Sequence, residues 1–281
     1  MNHEDNPFLK HGLATTTLNP LGLEVVRGEG PWIHLEGGGK LFDGISGIGV
    51  SSFGHGHPAI TASLQEQMSL NLHTMVYGEL IQDVQRQAAA HLRSSLPAHL
   101  DSVYFVNSGA EAVDAALKLA KRLTGRTKLM GVEGGYHGNT HGALSVSSNE
   151  SRKAPFRPLL PEVSFLKWND MADLEYIDAD TAAVIVETVQ GDAGIRIPDK
   201  VWLQALSHRC RELGALFILD EIQCGMGRTG TTWAFSQFDV VPDILCMGKA
   251  LGGGMPVGGI ATCTQRMSQL AHSPSLGHIT T

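Results

Sequence analysis

No stretch of this sequence approaches the roughly 18 uninterrupted apolar residues that a membrane-spanning helix needs, so a membrane protein of that kind is excluded. Basic residues are also scarce. Lys+Arg number 21 against 28 Asp+Glu, a formal net charge of -7, and they form no basic run. A nucleic-acid binder usually presents a basic face, so that class is disfavoured. The four cysteines, Cys210, Cys224, Cys246 and Cys263, include no CxxC pair and no zinc-ribbon spacing, and read as reduced thiols of a cytoplasmic protein. The N-terminal run MNHEDNPFLKH has neither a basic leader nor an apolar segment, so no signal peptide is expected. Charged residues are only 17% of the chain, below the roughly 25% of ordinary soluble domains, which points to a large buried core and away from disorder.

Glycine is what the chain has in excess, 33 of 281 residues, gathered in short runs at apparent strand ends. The length allows one large or two ordinary domains. Residues 1–20 read as a polar arm. Residues 21–50 alternate apolar and polar positions between glycine turns, as in a small antiparallel meander. Helical patterns follow over His57–Asn71 and Glu79–Ser95, the second stopped by Pro97.

From about residue 101 short β-rich runs alternate with amphipathic stretches. The strand candidates are Ser102–Val106, Lys128–Val132, Val163–Leu166, Ala182–Glu187, Leu216–Asp220, Asp243–Met247 and Gly259–Cys263. Helical patterns over Glu111–Leu123, Met171–Ile177 and Lys200–Leu213 separate several of them. This alternation predicts an α/β fold with a mostly parallel seven-stranded sheet, helices on both faces, and a small N-terminal α+β segment.

Open α/β sheets bind ligands outside the carboxyl ends of their strands. There the sequence places Ser108-Gly109-Ala110, Gly134-Gly135-Tyr136, Glu187, Asp220 to Gln223, and Lys249. Ser108 to Ala110 open a helix, whose free N–H groups suit a phosphate; an ordinary cap of Ser108 with Glu111 accounts for the same residues. Asp220 ends an apolar strand, where a carboxylate is costly unless paired; it is either satisfied by backbone amides or a counter-ion for a buried cation. Lys249 lies between an apolar strand and Gly252-Gly253-Gly254. Either desolvation there lowers its pKa and makes it a Schiff-base nucleophile, or it is a surface lysine that caps the strand end. Tyr136 is either a packed aromatic or a stacking platform.

Three other patterns carry less. Residues 225–230 match GxGxxG formally, but Thr231-Thr232-Trp233 is not the helix a dinucleotide fold needs. His137 and His141 have a metal-ligand spacing, but Gly138 and Gly142 argue against the helix that would align them. His55 and His57 flank Gly56 before Pro58, which is a turn into a helix. No metal site is expected.

Taken in order, GHGHPAI (54–60), NSGAEAVDAALKLAK (107–121), GGYHG (134–138), ETVQGDAG (187–194), LDEIQCGMGRTG (219–230) and MGKALGGGMPVGG (247–259) resemble the class III aminotransferases, enzymes of fold type I that use pyridoxal 5'-phosphate. The resemblance implies a transferase that moves an amino group from an amino acid or ω-amine to a 2-oxo acid such as 2-oxoglutarate, by a ping-pong Schiff-base mechanism. It implies that Lys249 bonds the cofactor and shuttles the proton, and that Asp220 pairs with the protonated ring nitrogen. Gln223 would bond the ring's 3-oxygen, Ser108, Gly109 and Ala110 would hold the phosphate, and Tyr136 would stack on the ring. Glu187 would sit near the ring, behind the groups that touch it. Thr281 resembles the threonine that reaches the phosphate of a neighbouring subunit, and a homodimer with shared sites is implied. Residues 1–60 would form the arm and meander, and 61–281 the cofactor-binding domain.

The sequence departs from that family at Asn139, where an arginine usually binds a substrate carboxylate; an amide cannot replace a guanidinium fork. Thr188 and Asp192 stand where proline and glutamate are common. Against the family's pattern, the resemblance implies that the C-terminal domain would be absent from this chain. A decarboxylase or aminomutase of the same family, and a fragment that binds the cofactor without turnover, are the alternative readings.

Overall fold

A computed structural model describes residues 12–14, 16–17, 20–74 and 80–271. The chain divides into two compact units, residues 1–72 and 73–281. The first holds an antiparallel meander of β1 (Val25–Glu29), β2 (Trp32–Leu35) and β3 (Lys40–Phe42), as the alternation predicts, followed by α1 (Pro58–Leu70) with its proline in the first turn. His55 closes back on the meander through a backbone bridge to Gly30 and a 2.8 Å contact to the Asp43 carboxylate.

The second unit is built on seven strands: β4 (Ser102–Val106), β5 (Lys128–Val132), β6 (Val163–Leu166), β7 (Thr181–Glu187), β8 (Leu216–Asp220), β9 (Ile244–Met247) and β10 (Gly258–Thr262). Their order in the sheet is β4-β10-β9-β8-β7-β5-β6, and only β10 runs against the rest. The α-helices longer than four residues are α2 (Asp83–Ser95), α3 (Gly109–Thr124), α4 (His141–Val146), α5 (Lys200–Leu213) and α6 (Thr264–Ala271). The expected helix start at Glu79 lies outside the described residues. The stretch expected to be helical over Met171–Ile177 forms a 3-10 turn over Ala172–Tyr176 instead, too short to complete an α-helical ladder.

Strand periodicity decides which side chains meet which helices. Val184 and Val186 of β7, with Phe217 and Leu219 of β8, face a core built with Trp202, Leu203 and Leu206 of α5. Ala183, Ile185 and Ile218 point the other way, against Ala112, Val113, Ala116 and Leu119 of α3. Every residue of β7 is buried, as a strand covered on both faces requires. Alanine on the inner face of α3 lets it lie close to the sheet. Gly258 makes that approach possible at one end, because a Cβ there would stand 2.3 Å from the Ser108 carbonyl oxygen.

Cys210, Cys224 and Cys246 are buried and free, and burial pushes their thiols well up from the ordinary range. No helix among the described residues is long and apolar enough to cross a membrane.

Candidate active site

The parallel strands all deliver their carboxyl ends to one edge of the sheet. Register aligns Glu187 of β7 with Asp220 of β8, and Asp220 with Cys246 of β9. Two carboxylates therefore stand side by side where β7 and β8 end. Around them lies a cavity of about 470 Å³, lined by Gly109, Ala110, Tyr136 to Thr140, Glu187, Asp220, Ile222, Gln223 and Lys249. That volume suits a small organic molecule. Volume alone does not single it out, since two other cavities measure about 470 and 520 Å³. Its convergent polar groups do.

The floor is a buried ion pair. Asp220 Oδ2 lies 2.7 Å from His137 Nδ1, and Asp220 Oδ1 accepts from the Ile222 N–H at 3.0 Å. Burial opposes a charged imidazole. The Asp220 hydrogen bond and the charges of Asp220 and Glu187 outweigh it and raise the His137 pKa. His137 Nε2 is buried and has no partner among the described residues. Sequence reasoning weighed His137 only as a metal ligand. Among the described residues no group of three or more His, Cys, Asp or Glu could hold a metal ion. What would have exposed its role is its place beside Tyr136, at the end of the strand paired with β7.

Glu187 is buried and accepts from the Tyr136 N–H at 3.0 Å and the Gly191 N–H at 3.1 Å. Burial raises its pKa, against the pull of His137. Those two bonds tie the Gly134–Gly138 loop to the end of β7 and fix where Tyr136 stands. Gly138, at φ 132°, brings the loop against α3: a Cβ there would meet the Ala110 Cβ at 2.6 Å.

Lys249 follows β9 in the left-handed region, at φ 46°. A non-glycine residue held there costs roughly 1–3 kcal/mol and persists only where its surroundings enforce it. Its Nζ donates to Gln223 Oε1 at 2.7 Å. Burial lowers its pKa, while the charges of Asp220 and Glu187 resist, so the amine is easier to deprotonate than an exposed lysine.

The opposite wall is the N-terminus of α3. Ser108 caps it by accepting from the Glu111 N–H at 3.1 Å. The expected capping box is modified: Glu111 accepts from the Asn107 N–H at 2.6 Å, one residue before the cap, because the chain enters the helix extended at Ser108. Gly109 and Ala110 line the cavity as first-turn residues whose N–H groups have no intrahelical acceptor. Ser108 does not line it. Asn139 does, at its exposed rim. Thr281 lies outside the described residues.

One buried acid braces the site from behind. Glu221 accepts from Thr188 Oγ1 at 2.9 Å and from the Ala234 and Phe235 N–H groups at 2.8 and 2.6 Å, clamping the 225–232 loop. Burial nevertheless pushes its pKa from 4.5 up to about 7. Between those values the unfolded chain has lost the proton and the folded chain retains it. This contribution to stability is therefore full below pH 4.5, falls as pH rises, and is gone above about 7. We expect Glu221→Gln to remove about 3 kcal/mol of pH-dependent stability from that window. Urea unfolding of both proteins at pH 4.5 and 8 measures it; equal slopes would refute it.

A model of the aminotransferase class-III family matches residues 14–281. The chain belongs to the class-III aminotransferases. An acetylornithine aminotransferase of Methanopyrus kandleri is 44% identical over 252 residues, covering 89% of this chain and 63% of the relative. A [LysW]-aminoadipate semialdehyde/glutamate semialdehyde transaminase of Sulfolobus acidocaldarius is 41% identical over 84% of this chain and 60% of its own length. This class-III chain thus spans less than two thirds of those relatives. The fold matches an (S)-enantioselective omega-transaminase from Thermomicrobium roseum, with TM-score 0.87 and 28% identity over 96% of this chain and 68% of that one. The ornithine aminotransferase from Toxoplasma gondii, described with PLP at its active site, gives the same TM-score and identity over 99% and 66%.

Proposed function

We propose that this chain binds pyridoxal 5'-phosphate and transfers an amino group from an amino acid or ω-amine to a 2-oxo acid, with 2-oxoglutarate the expected acceptor. The observation that carries this reading is the meeting, in one cavity, of a desolvated lysine, a buried Asp–His pair and an open helix N-terminus. The residues fit the group. Asp220 keeps accepting capacity beyond His137 and Ile222, as a counter-ion for a protonated ring nitrogen requires. Gly109 and Ala110 offer N–H groups for the phosphate, with the Ser108 hydroxyl beside them. Tyr136 supplies an aromatic face, and Gln223 stands within reach of Lys249 for the ring's 3-oxygen.

When bound, the cofactor supplies an electron sink and an aldehyde for the lysine. The chain's own residues do the rest. Lys249, whose lowered pKa makes the free amine easier to reach, would hold the cofactor and would carry the proton at its Nζ. Asp220 would face positive charge at the floor, and the His137 contact at 2.7 Å keeps its carboxylate oriented. Glu187 holds the loop that presents Tyr136. The site would lie wholly within the expected cofactor domain, residues 61–281. A homodimer in the cytoplasm is part of the proposal. Exposed apolar side chains in the first unit, among them Phe42, Ile45 and Ile48, support an association surface.

The test is a donor panel. Purified chain with pyridoxal phosphate should show a visible band that N-acetylornithine, or another ω-amine, bleaches as the cofactor is converted to its amine form. A band that no donor bleaches would leave a cofactor-binding chain without turnover. No band would refute the reading.

A further inference from the structure

Gln223 meets the Lys249 amine only if the turn after β8 holds its place. That turn, Glu221 to Gly225, is closed by the Gly225 N–H on the Glu221 carbonyl at 3.0 Å. The Glu221 N–H donates to the Cys246 carbonyl of β9, also at 3.0 Å, so the turn is bonded to the strand that leads into Lys249. Packing beneath it is tight. A Cβ on Gly225 would stand 2.6 Å from the Glu221 carbonyl oxygen and 3.1 Å from both the Glu221 Cβ and the Trp233 ring. Glu221 does not line the cavity, yet its carboxylate ties the turn to two other segments. One is Thr188, next to Glu187 at the end of β7; the other is the start of the 3-10 turn Ala234–Gln237.

All three partners of that carboxylate are donors: the Thr188 hydroxyl and the Ala234 and Phe235 N–H groups. An ionised carboxylate satisfies them all. A neutral acid must place its own O–H among three donors, so it gives up a bond or turns the Thr188 hydroxyl round. Burial acts the other way, because it penalises the charge, and the two forms balance at about pH 7. The titratable groups around it are Asp220 on its own strand, Cys224 across the turn, Glu187 beside Thr188, Cys246 on β9, and Lys249 beyond Gln223. The 234–237 turn brings only uncharged side chains, and Arg228 of the clamped loop is exposed. Thr188 stands where proline is common in the family, and proline has no hydroxyl, so the third bond is a feature of this chain.

We propose that Glu221 is a positioning residue for Lys249: its ionised carboxylate, held by Thr188 and the two amides, sets the turn that brings Gln223 to the amine, and protonation loosens that turn. This rests on the aminotransferase reading above and names a control on that same site. Fold and site then want opposite states of one carboxyl. The fold is favoured by the neutral acid, which costs less to bury, whereas the turn is held best by the charged form. As pH rises, cofactor affinity should therefore climb while this group's contribution to stability is lost. A carboxyl that only braced the fold would move both in the same direction.

The experiment compares the full chain with Glu221→Gln and Thr188→Val between about pH 5.5 and 8.5. Pyridoxal phosphate affinity is read from the visible band, stability from urea unfolding, and the Gln223 side-chain amide by NMR without cofactor. At the upper end the wild type should bind pyridoxal phosphate at least tenfold more tightly than Glu221→Gln, and at the lower end within twofold. Over the same range it should lose stability relative to that variant. Thr188→Val should move the affinity step upward by about half to one pH unit, the worth of one hydrogen bond. The Gln223 signal should shift through the wild-type midpoint and stay fixed in Glu221→Gln. Asp173→Asn removes another buried acid, one bonded to the Lys167 N–H outside the cavity lining, and should leave affinity within twofold. An affinity ratio independent of pH, affinity and stability moving together, a step unmoved in Thr188→Val, or a Gln223 signal blind to Glu221 would each overturn the proposal. Absence of the band in the wild type would instead refute the cofactor reading, while the Gln223 signal still decides the role of Glu221.

Discussion

Lys249→Ala should lose the visible band of the cofactor-bound chain and at least about 1,000-fold in transamination, the two failing together. The size follows from what the side chain does. A positioned acid–base group alone is worth roughly 100- to 10,000-fold, and Lys249 is expected to be the covalent anchor as well. Its geometry supports both roles: a left-handed backbone that aims it, burial that lowers its pKa, and a 2.7 Å bond to Gln223 that holds the amine in the cavity. The fold should survive, because removing a desolvated amine at φ 46° relieves burial without opening the core. Pyridoxal phosphate should still bind, more weakly, through α3 and Asp220. Activity within tenfold of wild type in a correctly folded variant would show that another group does this chemistry.

The second large effect is expected at Asp220. Asp220→Asn preserves shape and can still accept from Ile222, but it removes the negative charge that a protonated ring nitrogen needs. Turnover should fall by roughly 100- to 1,000-fold, in line with the loss of one preorganised electrostatic contact. The same change leaves His137 without its counter-charge, so the imidazole should become neutral at pH 7. Asp220→Ala should be worse for the fold, by about 3–5 kcal/mol, because it strands a fully buried His137 with no hydrogen-bond partner. Kinetics with thermal unfolding, and NMR of the His137 ring, separate the two effects. An imidazole that stays charged in Asp220→Asn would show that Glu187, and not Asp220, sets its protonation.

Lys249 and Asp220 are legible in the sequence for one physical reason. Each is a charged residue at the end of an apolar run, a place where only a partner or a ligand makes the charge tolerable. The sheet is legible too, because strands covered on both faces read as short continuous apolar runs, with glycine-rich stretches at their ends. His137 and Glu221 are not legible in the same way. Each draws its meaning from a partner far away in sequence: Asp220 for His137, and Thr188 with the Ala234 and Phe235 amides for Glu221. Residue spacing led His137 to be weighed against His141, whereas the sheet brings it to Asp220. Arg152 is the clearest example. In sequence it is one surface charge in the run Glu150 to Lys153, and only folding sets it over Tyr136 and against Asp192. Local patterns report the elements and their ends; long-range pairs appear only when the strand order is known.

The central claim is that Lys249 is the residue that bonds the cofactor. Borohydride reduction of the chain loaded with pyridoxal phosphate, followed by peptide mass mapping, tests it without any substrate. The cofactor mass should be found on the peptide that contains Lys249, at one equivalent per chain, and should be absent after Lys249→Ala. An adduct on Lys153 or on a surface lysine such as Lys118, or no adduct in a folded chain, would contradict the account.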